Sequence, residues 1–201
     1  ETVGIHYQET LKNMNIIIFG PPLAGKGTQS KRIINDFGLT HLSTGDALRE
    51  EKAQKSELGI KASEYSSKGL LAPDDLVAQI VEKFYHNNKS EKGILFDGYP
   101  RNIEQAKHLI NVIENDGNNI DRIIFLKVPK KELLKRAIKR AEEENRTDDK
   151  DSEIVMTRIN EFGNSTIPAI KFIKESGIKT IEIDGNQSIE NIYETIKSGL
   201  K

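Results

Sequence analysis

Short apolar runs and helical patterns take turns along this chain. Five runs, Asn15–Phe19, Thr40–Leu42, Gly93–Asp97, Arg122–Val128 and Lys179–Ile183, predict buried strands. Between them apolar residues recur at intervals of three and four. That spacing predicts helices over Lys26–Asp36, Asp74–Tyr85, Ile103–Glu114, Lys130–Glu144, Ser152–Ser176 and Ile189–Leu200. Pro73 precedes the second of these, where its fixed φ suits a first turn. Strands alternating with helices predict a parallel sheet covered on both faces. Leu133, Leu134, Ala137, Ile138 and Ala141 make one helical stripe, expected to bury against that sheet. Two stretches, 43–72 and 140–152, are unusually polar and predict excursions from the core rather than separate domains. Residues 1–13 show no period and form an N-terminal extension ahead of Met14, so 14–201 is expected to be one domain.

Composition narrows the classes. A chain of 201 residues can bury the core of one α/β domain. Its net charge of −1 gives no global field for nucleic acid or a membrane surface, so an anion site must be local. With no cysteine, disulfides, thiolate chemistry and cysteine-ligated zinc are excluded. The apolar runs are too short to span a bilayer, and residues 1–13 lack both a signal core and the arginines of a transit peptide. A cytoplasmic protein is expected.

The first strand runs into Gly20-Pro21-Pro22-Leu23-Ala24-Gly25-Lys26-Gly27-Thr28 and then a helix. This is the spacing of a phosphate-binding loop in the context such a loop requires. Gly20, Gly25 and Gly27 let backbone approach phosphate, the helix start offers unpaired N–H groups, Lys26 can bridge the β- and γ-phosphates, and the Thr28 hydroxyl can serve phosphate or Mg²⁺. Leu23 stands where a small residue is usual. If that position needs positive φ, leucine costs about 1–2 kcal/mol.

Three further segments carry candidate chemistry. In Leu42–Glu50, Ser43, Thr44 and Asp46 are cap formers for a helix starting near Gly45, and Arg49 on its first turn can reach an anion. Taken alone, this is an ordinary capped helix with a solvated arginine. In Ile94–Ala106, Asp97 ends a strand at the edge where α/β proteins bind ligands, and its carboxylate can hold Mg²⁺-bound water. Arg101 follows a Gly98-Tyr99-Pro100 turn, and the Gln105 amide has the donor and acceptor that match adenine. In Leu133–Phe162, Arg136 and Arg140 lie four apart on one helical flank.

Together these motifs resemble the adenylate kinase family, from Asn15 to the C-terminal helix. The loop is similar to that family's Gly-x-Pro-Gly-x-Gly-Lys-Gly-Thr-Gln, with Leu23 as the departure. The resemblance implies a three-layer α/β/α P-loop fold with a five-stranded parallel sheet, an insert at about 43–72 for the nucleoside monophosphate (NMP), and a short lid at about 140–152 without zinc. It implies phosphoryl transfer between ATP and AMP with Mg²⁺, by an enzyme expected to be a monomer. Gly20, Pro22, Ala24, Gly25, Lys26, Gly27, Thr28, Arg136, Arg140 and Gln187 would bind ATP, with Arg136 stacked on adenine. Thr44, Gly45, Arg49, Ala72, Gly98, Arg101, Gln105, Arg146 and Arg158 would bind AMP. Lys26, Arg101, Arg140, Arg146 and Arg158 would surround the moving phosphoryl group, Thr28 and Asp97 would serve Mg²⁺, and Asp148 and Asp149 would tether the lid. One more residue than the family pattern lies between Asp149 and Arg158, predicting a bulge near Lys150–Asp151. Asn102 is shared with UMP/CMP kinases, which keeps that acceptor class open beside AMP. A nucleotide-binding protein whose loop is impaired by Leu23 is the third reading.

Overall fold

The computed structural model describes residues 14–67, 72–89, 92–144 and 152–201, except the side chains of residues 66, 140–144 and 152–154. Its strands are β1 (Asn15–Phe19), β2 (Thr40–Ser43), β3 (Ile94–Asp97), β4 (Ile120–Lys127) and β5 (Lys179–Asp184). They form one parallel sheet in the order β2-β3-β1-β4-β5. The helices are α1 (Lys26–Phe37), α2 (Thr44–Ala53), α3 (Glu57–Ser67), α4 (Asp74–Asn88), α5 (Ile103–Asn115), α6 (Lys130–Glu144), α7 (Ser152–Glu161), α8 (Ile167–Glu175) and α9 (Ile189–Leu200).

Strand side chains alternate between two apolar layers, as a period of two requires. Ile17, Phe19, Ile123 and Phe125 point to the side covered by α4, α5 and α8. Ile16, Ile18, Ile124 and Leu126 point to the side covered by α1 and α9. Both faces are therefore dry, which is why the strands read as nearly continuous apolar runs.

Three elements depart from the sequence pattern. Residues 57–67 fold as a helix inside the polar stretch, because Leu58, Ala62 and Tyr65 make a narrow stripe that packs with Ala47, Leu76 and Ile80. Ser56 starts it by accepting the Gly59 N–H through its hydroxyl at 3.0 Å. Glu51 ties this pair of helices to α4 through Lys83 at 2.8 Å. The helix expected over Ser152–Ser176 is interrupted by a π-turn at Phe162–Thr166. Pro168, at the start of α8, has no N–H to continue an α ladder, so the chain widens by a turn before it. The stripe on α6 is narrower than expected: Leu133 and Ala137 are buried, but Ile138 is 63% exposed. It packs on α7 rather than on the sheet.

Because both sheet faces are covered, Ile16→Ala and Ile17→Ala should each destabilise the fold by about 2–5 kcal/mol, read from urea unfolding with an unchanged m-value. A near-neutral result at either position would mean that one face is open.

Candidate active site

Every site segment leaves the carboxyl edge of the sheet, where the strand order reverses around β1. The phosphate loop follows β1. Its turn is closed by Ala24 N–H on Pro21 O at 3.1 Å, with Pro22 second and Leu23 third. Leu23 has φ 69°, the positive value that the third residue of a type II turn needs. The loop therefore forms with a leucine in place, and the strain expected from the sequence is present. Gly25, at φ 93°, caps α1 without any side-chain hydrogen bond, leaving first-turn N–H groups for an anion. A Cβ on Gly27 would meet no protein atom, so the loop is open on that side, and Thr28 is exposed beside it.

Lys26 Nζ donates to Gly20 O at 2.9 Å and Pro21 O at 3.5 Å. Burial pulls its pKa below the ordinary lysine value; Asp97 opposes this, while Arg101 and Arg158 add to it. Arg101 is solvent-exposed over much of its surface, yet crowding by protein and then the Arg158 charge lower its pKa too. Lys26, Arg101, Arg158 and Asp97 are thus gathered in one electrostatic cluster. Since the folded pKa of Lys26 lies below its unfolded value, its ammonium weakens the fold at low pH, and that cost fades as pH rises through this interval. A bound polyanion would favour the ammonium and reverse the effect.

Asp97 Oδ2 accepts from Ser30 Oγ at 3.3 Å and contacts His41 Nε2 at 3.2 Å. Neither Ser30 nor His41 belongs to the site predicted from the sequence; the pairing of β2 with β3 brings His41 alongside, and no local motif signals it. The second oxygen of Asp97 and the Thr28 hydroxyl are hard donors, a set that suits Mg²⁺ held largely by water and substrate phosphates. Among the described residues no three His, Cys, Asp or Glu side chains gather as a metal cage.

The loop after β3 is shaped by Gly98, at φ 84°. A Cβ there would stand 3.2 Å from Thr44 Oγ1 and 3.5 Å from Arg101 Nη2. Arg101 Nε donates to Gly98 O at 2.9 Å, and Thr166 Oγ1, from the π-turn, donates to Arg101 O at 2.9 Å. Thr166 is another site-shaping residue that periodicity cannot reveal. Gln105 is buried: its Oε1 accepts the Arg101 N–H at 2.8 Å, and its Nε2 donates to Asp74 at 2.9 Å. Asn102 caps α5 by accepting the Gln105 N–H at 2.9 Å and bonds Asp74 at 2.5 Å. Its identity thus has a structural reason unrelated to acceptor choice.

Across the second segment, Ser43 caps α2, which begins at Thr44. Thr44 is buried with its hydroxyl on Asp97 O at 3.5 Å. Gly45 lies beneath the Arg49 guanidinium, and Ala72 packs with the insert's apolar cluster. Arg49 is not drawn to the cationic cluster; it pairs with Asp46 on the surface.

On the other flank Arg136 is part-buried. Its Nη1 donates to Leu23 O at 3.2 Å, its Nη2 to Gly185 O at 2.8 Å, and its Nε to Glu132 at 3.2 Å. It brackets the phosphate loop against the loop after β5, where Gln187 is exposed. The Arg140 side chain, Arg146, Asp148, Asp149 and the bulge expected at Lys150–Asp151 lie outside the described residues.

Residues 18–178 match the family model for adenylate kinase. The chain belongs to the adenylate kinase family. An adenylate kinase of Bacteroides fragilis is 40% identical over 91% of this chain and 96% of its own. That of Parabacteroides distasonis is 38% identical over 93% and 97%, and that of Methanosarcina barkeri 35% identical over 94% and 99%. These relatives are nucleoside monophosphate kinases, and this chain is a phosphotransferase of that class. The family favours adenylate kinase function over the UMP/CMP and impaired-loop alternatives.

The Lys26 cluster predicts a binding signal separate from turnover. Saturation with MgATP at a hundred times Kd should stabilise the protein by about 2.7 kcal/mol, a melting shift of roughly 5–11 °C for this size. Lys26→Met should lose most of that shift without lowering the unliganded melting temperature. An unchanged shift would remove Lys26 from the triphosphate site.

Proposed function

We propose that this chain transfers the terminal phosphoryl group of ATP to AMP, giving two ADP, with Mg²⁺ bound. The observation that carries this is that Lys26 and Arg101 share Asp97, and both lie within the field of Arg158, beside a helix-backed glycine loop. Phosphoryl transfer spreads negative charge over the moving group and needs alignment and fixed cations more than a strong base.

In this reading the α1 N–H groups and Lys26 hold the β- and γ-phosphates of ATP. Arg136 presents its guanidinium plane to adenine between the phosphate loop and Gly185–Gln187. Arg49, Thr44, Gly45, Ala72 and Gly98 frame the AMP site, and Gln105 reads adenine with the amide positions left over from its bonds to Arg101 and Asp74. An AMP phosphate oxygen attacks the γ-phosphorus in line, and the bond to the ADP oxygen breaks as the new one forms. Lys26, Arg101 and Arg158, joined by Arg140 and Arg146, balance the charge. Thr28 and Asp97 would hold Mg²⁺, which when bound would supply neutralising charge. Closure of 43–72 and 140–152 over the core would exclude water, a form of gating for which the adenylate kinase lid is a known example. A monomer is the expected assembly, and the cytoplasm is the expected compartment.

Acceptor choice is open to direct test. With MgATP, initial ADP formation should be at least tenfold faster with AMP than with CMP or UMP, the size of discrimination that a hydrogen-bonding base site can supply. Gln105→Ala should lower kcat/KM for AMP chiefly through KM. Equal rates with CMP would overturn the assignment of AMP.

A further inference from the structure

Leu23 sits inside the phosphate loop, yet the proposed reaction makes no use of its side chain. It is a non-glycine residue at positive φ, a state that persists only where surrounding structure holds it. Its surroundings supply the reason. The side chain packs on the apolar cluster of Leu133 and Ala137 from α6 with Val155 and Ile159 from α7. Val155 and Ile159 are buried, and they flank Arg158 on α7. The Leu23 carbonyl is held from the same side by Arg136 of α6. One residue of the loop thus packs by its side chain on the cluster that α6 and α7 build together, and is held by its backbone to α6.

We propose that Leu23 is a positioning residue: it anchors the phosphate loop to α6 and α7 and so fixes Arg158 against Lys26. The proposal rests on the phosphoryl-transfer reading for its catalytic consequence, but not for the anchoring itself. A glycine at this position would relax the backbone and take a packing partner away from the cluster that Val155 and Ile159 share with α6. Lys26 and Arg158 repel each other, so loss of the anchor lets α7 drift outward and removes a cation from the transferring phosphoryl group. Asparagine accepts positive φ without glycine's added backbone freedom but cannot replace an apolar contact, so it separates loss of the contact from loosening of the loop. Methionine keeps the apolar reach with the same backbone demand.

The test uses the full chain with Leu23→Gly, Leu23→Asn and Leu23→Met, each also in an Arg158→Ala background. Misplacement of a charged group by about 1 Å can cost up to a hundredfold in rate. Leu23→Gly and Leu23→Asn are therefore expected to lower kcat for ADP formation at least tenfold, with KM for AMP within twofold. Leu23→Met should stay near the parent. In the Arg158→Ala background the Leu23 changes should cost less than twofold more, because the residue acts through Arg158. Hydrogen exchange across residues 152–161 should quicken in the glycine and asparagine variants but not in the methionine variant, and exchange in β5 and α9 should stay unchanged. Rates within twofold of the parent, or equal losses with and without Arg158, would overturn the proposal. So would unchanged exchange in α7, a readout that needs no turnover. A parent protein that makes no ADP, together with quickened α7 exchange, would instead fault the reaction assigned and leave the anchor standing.

Discussion

Three cations that repel one another are held close together, with Asp97 shared by Lys26 and Arg101 and Glu161 near Arg101, and much of the remaining structure exists to keep them there. Lys26 and Arg101 both have their pKa values lowered by the loss of water around them and by neighbouring positive charge, the direction expected where cations are crowded together. Asp97 offsets part of this and is itself fixed by Ser30 and His41. The cluster is a site prepared for an anion with several oxygens, because such a ligand supplies the missing negative charge at the point where the protein has given up stability to create a need for it.

The sheet explains how this arrangement is tolerated. β1 and β3 lie side by side in parallel, so the phosphate loop and Asp97 emerge at the same edge without adjustment. Their side chains are buried on both faces, and this apolar packing is independent of the charges at the edge. The site is braced from outside the motifs. Thr166 holds the Arg101 carbonyl, Gln105 holds its N–H, and Arg136 joins two loops that are far apart in sequence. A site of this type depends on placement, since the chemistry it performs asks the protein for fixed charges rather than for a reactive side chain.

Strands, most helices and the phosphate loop are legible in the sequence because each rests on a local pattern: a short apolar run, apolar residues three and four apart, or glycines before a helix. What the pattern does not show is set by distant partners. Gln105 on its own reads as a surface helix residue, but Asp74 and the Arg101 backbone bury it. His41 joins the site through strand pairing. The break near Phe162 follows from Pro168, whose effect on the preceding turn is weaker in a helical pattern than the apolar spacing around it. α3 is hidden because its apolar stripe is short and lies in a charged stretch. Leu23 shows the limit from the other direction: its backbone strain is readable from the motif, while the apolar contact that accompanies it appears only when α6 and α7 are in place.

The central claim is that the cationic cluster moves a phosphoryl group between nucleotides without releasing it to water. Real-time ³¹P NMR of the protein with MgATP and AMP tests this most directly, since ATP, ADP and inorganic phosphate give separate signals. The account predicts that ADP grows at twice the rate at which ATP is lost, approaches an equilibrium mixture, and is accompanied by no inorganic phosphate. Inorganic phosphate appearing in step with ATP loss, independent of AMP, would contradict it.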